Sequence, residues 1–159
     1  MPEDEALDDV TPAAAVRPVH LRPLYIGIVV LGGALGTGAR ELLALTIPAA
    51  GAFPTAIFVI NLTGAFALGV ALEILLRLGP DEGRRRHLRL LVGTGFLGGY
   101  TTYSTLAIGT AQAITTGHSA IGILYALLSV IGGAAAAFAG IAAAAAGHRT
   151  RVARREARR

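Results

Sequence analysis

At 159 residues, 53% hydrophobic and 15% charged, the chain is too apolar for an ordinary soluble domain and too short for a membrane bundle plus a second folded unit. It has no cysteine, which excludes disulfides, thiolate nucleophiles and zinc-thiolate sites. The formal net charge of +4 rests on 14 arginines lying mostly between or beyond apolar stretches, a pattern that suits a membrane surface and implies no nucleic-acid partner.

Residues 1–22 are acidic and proline-containing (Glu3, Asp4, Glu5, Asp8, Asp9, Pro12, Pro18), the opposite of the basic start of a secretory signal, and read as a disordered cytoplasmic tail. Four apolar stretches follow, roughly 24–47, 54–78, 88–115 and 120–146. Each reaches the ~20 residues that a helix needs to cross ~30 Å of hydrocarbon. Residues 23–147 are therefore expected to form a four-helix transmembrane domain in a lipid bilayer, and 148–159 an arginine-rich cytoplasmic tail.

The first stretch carries Gly32, Gly33, Gly36 and Gly38, small residues that let helices approach closely. Gly32 and Gly36 make a GxxxG pair, read as general helix packing and not as a dedicated dimer motif. Near its outer end, Arg40 and Glu41 are long enough to snorkel to the interface. In the second stretch Asn61 is the informative polar residue. Its amide is costly in hydrocarbon, so it must face either a neighbouring helix or a bound ligand.

The third stretch is unusual. Gly93, Gly95, Gly98 and Gly99 precede Thr101, Thr102, Ser104 and Thr105, which places weak helix formers beside hydroxyls able to re-satisfy freed backbone groups. This predicts a break near Gly98 to Thr102, the alternative being a continuous glycine-rich helix. An unwound carbonyl cluster at membrane depth can coordinate a cation. The fourth stretch is again rich in glycine and alanine. His20, His87, His118 and His148 lie outside or at the edges of the spans with no metal-ligand spacing, and no enzymatic chemistry is indicated.

Arginine placement sets the orientation. Arg17 and Arg22 precede the first span, Arg77, Arg84, Arg85, Arg86 and Arg89 surround the second connection, and six more follow the fourth span. The connections Pro48–Pro54 and Thr116–Ser119 contain none. A multi-pass plasma-membrane protein with both termini cytoplasmic is expected.

Three segments, Gly32-Gly33-Ala34-Leu35-Gly36-Thr37-Gly38-Ala39-Arg40, Asn61-Leu62-Thr63-Gly64-Ala65-Phe66-Ala67-Leu68-Gly69 and Gly95-Phe96-Leu97-Gly98-Gly99-Tyr100-Thr101-Thr102-Tyr103-Ser104-Thr105, give the chain its family likeness: it resembles the Fluc/CrcB fluoride channels from about residue 24 to 146. The resemblance implies an antiparallel, dual-topology-type dimer of four-helix subunits, with the third helix broken near its middle. It also implies two narrow fluoride pores, a structural sodium ion at the dimer centre, and passive export of fluoride that relieves its toxicity. The family sodium site maps onto the backbone carbonyls of Gly98 and Thr101. The pore maps onto Asn61, Tyr103, Ser104, Thr105, Leu106 and Tyr125, with Arg40 at an entrance or in a structural role.

A dry pore must replace the water of a small, strongly hydrated anion with donors, here the Asn61 amide, the Ser104 and Thr105 hydroxyls and the positive edges of aromatic rings. The chain departs from the family at three places. Tyr103 and Leu106 stand where two phenylalanines are usual, and Gly109 stands at a usually acidic position. Because each family pore draws its paired phenylalanines from different subunits, a homodimer of this chain would lack half of each pair. The one-sided arginine bias also opposes insertion in both orientations, so the expected partner is a homologous Fluc-like chain of inverted bias, with a homodimer as the alternative. Two further readings are a nonconducting or structural partner subunit and a small drug-exporting transporter. The transporter needs a carboxylate near mid-span, whereas Glu41 and Glu73 lie near span ends.

Overall fold

A computed structural model describes residues 22–48 and 51–157. Apart from Arg22, the expected acidic tail 1–22 lies outside the described residues, as do Arg158 and Arg159.

Helix α1 (Pro23–Thr46) starts on a proline whose missing N–H costs nothing in the first turn. It stops at Ile47, extended at φ −97° and ψ 113°, because Pro48 disfavours helical backbone at the residue before it. Helix α2 (Thr55–Arg77) begins after Pro54 and ends before Gly79, whose φ of 111° only glycine adopts readily. The short α3 (Gly83–Leu88) runs without interruption into a π-helical stretch, Arg89–Leu97, and then into a single turn, α4 (Gly98–Tyr100). After a break come α5 (Ser104–Thr115) and α6 (Ser119–Glu156). The α5–α6 turn is a Schellman closure: His118 N–H donates to the Ala113 carbonyl at 2.8 Å and Gly117 N–H to that of Ile114 at 3.1 Å.

All regular elements of any length among the described residues are helical. Three helices, Pro23–Thr46, Thr55–Arg77 and the Ser119–Arg151 part of α6, are each long and apolar enough to cross a membrane. The expected stretch 88–115 is not one such helix, because Thr101–Tyr103 divides it. Large apolar side chains point outward, with Leu45 84% and Phe138 72% exposed, and among the described residues the buried apolar side chains are few: Ile60, Leu97, Leu106, Ala113 and Tyr125. That is the surface of a protein solvated by lipid tails.

Two glycine-lined seams hold the helices together. In the first, α1 lies on the π-helical stretch and α4. A Cβ added to Gly32 would come within 2.9 Å of the Gly95 Cα, and one added to Gly36 within 2.9 Å of the Tyr100 nitrogen. In the second, α2 and α6 run parallel, Leu62 lying beside Gly132. A Cβ on Gly69 would sit 3.0 Å from the Ala137 carbonyl carbon, and one on Gly140 3.0 Å from the Val70 nitrogen. Lipid tails are as apolar as leucine, so these helices associate through the dispersion contact that close backbones gain.

Helix α6 has 38 residues, or roughly 57 Å at 1.5 Å per residue, far more than ~30 Å of hydrocarbon requires. The sequence reading ends the span at 146 and starts a separate tail at 148. The structure instead carries the helix on through His148 to Glu156, so Arg149, Arg151 and Arg154 stand on a helical extension. Nothing in this alanine-rich segment terminates a helix.

The first seam yields a prediction. Gly36→Val should destabilise the solubilised protein by about 3 kcal/mol or prevent folding, because the added methyls meet backbone that cannot move aside. Gly38→Ala, where a Cβ meets nothing within 4 Å, should be neutral. Thermal unfolding and monodispersity of the two variants check this.

Candidate functional site

The break is the most polar feature of the apolar region. The Thr101 amide closes the last turn on the Leu97 carbonyl at 3.0 Å, its hydroxyl donates to the same oxygen at 2.9 Å, and the backbone then turns extended at φ −80° and ψ 155°. Unwinding there frees peptide groups that no water can solvate in hydrocarbon. Asn61 of α2 takes up one whole residue's worth. Its Nδ2 donates to the Thr102 carbonyl at 3.0 Å and its Oδ1 accepts from the Thr102 N–H at 2.9 Å. The Thr102 hydroxyl accepts from the Thr105 N–H in the first turn of α5 at 3.3 Å, and lies 3.2 Å from Ser104 Oγ and 3.1 Å from Thr105 Oγ1.

The other side of the break is tied to α1. Arg40 Nη1 donates to the Gly99 carbonyl at 3.3 Å and Thr37 Oγ1 to the same oxygen at 3.4 Å. The Arg40 guanidinium also pairs with Glu41 at 3.2 Å, and its side chain is 19% exposed, so it lies against the break and does not extend away from it. The Thr63 and Tyr100 hydroxyls meet at 3.0 Å. The Gly98 and Thr101 carbonyls receive no hydrogen bond from any described group.

The structure therefore gathers most of the residues singled out by sequence. Asn61, Ser104 and Thr105 converge on Thr102, and Gly98, Thr101 and Arg40 surround the same few residues of backbone. Tyr103 is 79% exposed beside the break, whereas Leu106, one turn into α5, is 7% exposed. Tyr125 stands apart from this cluster. It is fully buried on α6, edge-to-face with Phe53 at 5.3 Å and 80°, and its hydroxyl has no partner. A Cβ on Gly109 would lie 3.5 Å from its ring. One turn further along α6, the buried Ser129 hydroxyl is also without a partner.

Three contributors were missed from the sequence, Thr37, Phe53 and Ser129, while Thr102 was singled out for its hydroxyl but not as the group on which the others converge. The four-residue spacing from Tyr125 was a readable signal for Ser129, since it puts both hydroxyls on one face of a helix. Thr37 and Phe53 are placed by tertiary contact alone.

Long apolar helices with outward-facing aliphatic side chains and a broken helix whose freed backbone is satisfied by side chains define a helical membrane protein. Comparison with known proteins gives the family. The model of the family described as CrcB-like protein, Camphor Resistance (CrcB), matches residues 27–141, and the chain belongs to that family. It is 51% identical over 129 residues to "Fluoride-specific ion channel FluC 2" of Leifsonia xyli subsp. xyli (strain CTCB07), covering 81% of this chain and 89% of that one. It is 47% identical over 123 residues to "Fluoride-specific ion channel FluC 1" of Cutibacterium acnes (strain DSM 16379 / KPA171202), covering 77% and 86%.

Asn61→Ala should leave the Thr102 N–H and carbonyl without partners, at about 1–3 kcal/mol for each buried group. Asn61→Asp keeps the acceptor for the Thr102 N–H and should therefore protect that amide better than alanine does. Faster hydrogen exchange at the Thr102 amide in the alanine variant, compared with the aspartate variant, checks the assignment.

Proposed function

We propose that this chain is a subunit of a fluoride-selective ion channel that lets fluoride leave the cell passively across the plasma membrane, relieving fluoride toxicity, as one half of an antiparallel dimer. The observation that carries this is the 51% identity to a fluoride-specific channel over 89% of that channel's length. The role is that of a conduit, not an enzyme.

The chemistry of the residues supports it. After its bond to Thr102, the Asn61 amide has a second hydrogen to give. Ser104 and Thr105 add hydroxyls at the break, and the Tyr125 and Ser129 hydroxyls are buried with no protein partner. Ring edges of Tyr103 and Phe53 carry partial positive charge. Several modest donors along a path replace the anion's hydration without a single deep trap, which is what conduction requires. Leu106 contributes an apolar wall and Arg40 braces the break, its cationic charge favouring an anion nearby.

The third membrane passage is the divided run from α3 to α5, giving four crossings, and the arginine bias puts both termini in the cytoplasm. A structural sodium ion would be held by the Gly98 and Thr101 carbonyls, hard oxygen donors that no described group occupies, with the remaining ligands from the other subunit. The partner is a homologous chain of opposite arginine bias, because a strongly one-signed chain does not insert both ways.

A second reading, a subunit that supports a partner's pores without conducting through its own, is favoured by Leu106, which is buried and offers no ring edge. A proton-coupled drug transporter is not favoured: Glu73 is hydrogen bonded to Arg77 at 2.6 Å and Glu41 is paired with Arg40.

Liposomes containing this chain with a partner of inverted bias should release fluoride, and those containing it alone should release little. Vesicles that stay fluoride-tight with every such partner would overturn the channel reading. If flux appears only after Tyr103→Phe with Leu106→Phe, the supporting-subunit reading holds. Tyr125→Phe removes a hydroxyl that bonds nothing, so it should reduce flux about tenfold while stability stays within about 1 kcal/mol of the parent. Efflux electrodes and thermal unfolding on the same preparation separate the two effects.

A further inference from the structure

At the Arg22 end of α1, that helix and the π-helical stretch enclose a groove of about 480 Å³. Its walls are mostly aliphatic, formed by Ile26, Val29, Val30 and Leu90 beside Tyr25 and Thr94, and its rim carries Arg86 and Arg89. The rim already grips an anion of the right shape. Arg89 Nε donates to Asp81 Oδ1 at 3.0 Å and its Nη2 to Oδ2 at 2.8 Å, while Arg86 donates twice to the Asp81 carbonyl at 2.9 and 2.6 Å. This two-pronged geometry is the one by which a guanidinium binds a phosphate. The Asp81 and Arg89 side chains are 45% and 40% exposed, so their pairing is weak and exchangeable. Arg84 and Arg85 add positive charge on the same short helix, against Asp81 and Glu82.

We infer that this groove holds an anionic phospholipid, with one acyl chain along the aliphatic wall of α1 and the phosphate taking the Arg89 fork from Asp81. Charge complementarity selects the occupant. An aliphatic trough alone would accept any lipid tail, but an arginine rim at the membrane-surface end favours a headgroup with net negative charge. Asp81 then serves as an internal stand-in that keeps the fork aligned when no lipid is bound. The inference rests on the proposed membrane placement but not on fluoride conduction.

The test is native mass spectrometry of the full-length protein released from detergent, titrated with phosphatidylglycerol or with phosphatidylcholine of the same chains. Phosphatidylglycerol should be retained preferentially, and Arg89→Gln should weaken its retention about fivefold. Asp81→Asn should tighten it about threefold by removing the competitor, whereas Glu82→Gln, an equal change in charge without the contact, should not. Val30→Trp, which fills the groove and leaves charge alone, should weaken it. Equal retention of the two lipids would overturn the proposal. So would parallel effects of Asp81→Asn and Glu82→Gln, full competition by soluble glycerol phosphate, or a second copy of the chain cross-linked through the groove. Fluoride efflux from the same samples is read separately: lipid retention without flux counts against the pore, and flux without lipid selectivity counts against the groove.

Discussion

A peptide group in hydrocarbon must find its hydrogen-bond partner within the protein, and that requirement organises this molecule. A continuous helix meets it automatically. The chain interrupts its helix at Thr101–Tyr103 and thereby incurs a local deficit, which a few side chains on other helices make good. Asn61 is suited to the task because an amide is both donor and acceptor, and it can engage the N–H and the carbonyl of a single residue together. Arg40 and Thr37 serve the Gly99 carbonyl from the opposite side. Among the described residues, the Gly98 and Thr101 carbonyls and the hydroxyls of Tyr125 and Ser129 have no hydrogen-bond partner.

Most of this architecture can be read from composition. Apolar runs bounded by Pro23, Pro48 and Pro54 mark the first two helices to within a residue or two, because proline acts through local sterics that no tertiary contact overrides. The glycine and threonine run from Gly98 to Thr102 likewise locates the break, which falls at its C-terminal side. The site was legible as a set of residue types but not as a set of pairings. That Asn61 engages Thr102, 41 positions away, depends on how α2 packs against α4 and α5. Of its two sequence readings, the bond to a neighbouring segment is the one this packing shows.

Two features escaped the sequence reading. The π-helical stretch Arg89–Leu97 reflects the fit of Gly93 and Gly95 among neighbouring helices more than any preference of its own residues. The persistence of α6 into the arginine-rich tail follows from good helix formers on both sides of His148, where a change of polarity suggested a change of structure. Polarity reports the surrounding solvent and propensity reports the backbone. At this point in the chain the two diverge.

The seam between α1 and the run from Arg89 to Tyr100 has a mechanical consequence. Where side chains interdigitate, rotamers can change and helices can slide past one another. Where glycine backbones touch, as at Gly32 with Gly95 and Gly33 with Gly99, there is no torsion to relax and no slack to take up. The first helix is thus held backbone to backbone against the stretch that leads into the break. No change of rotamer can widen or narrow such a contact, so the spacing of the two helices is set by backbone geometry alone.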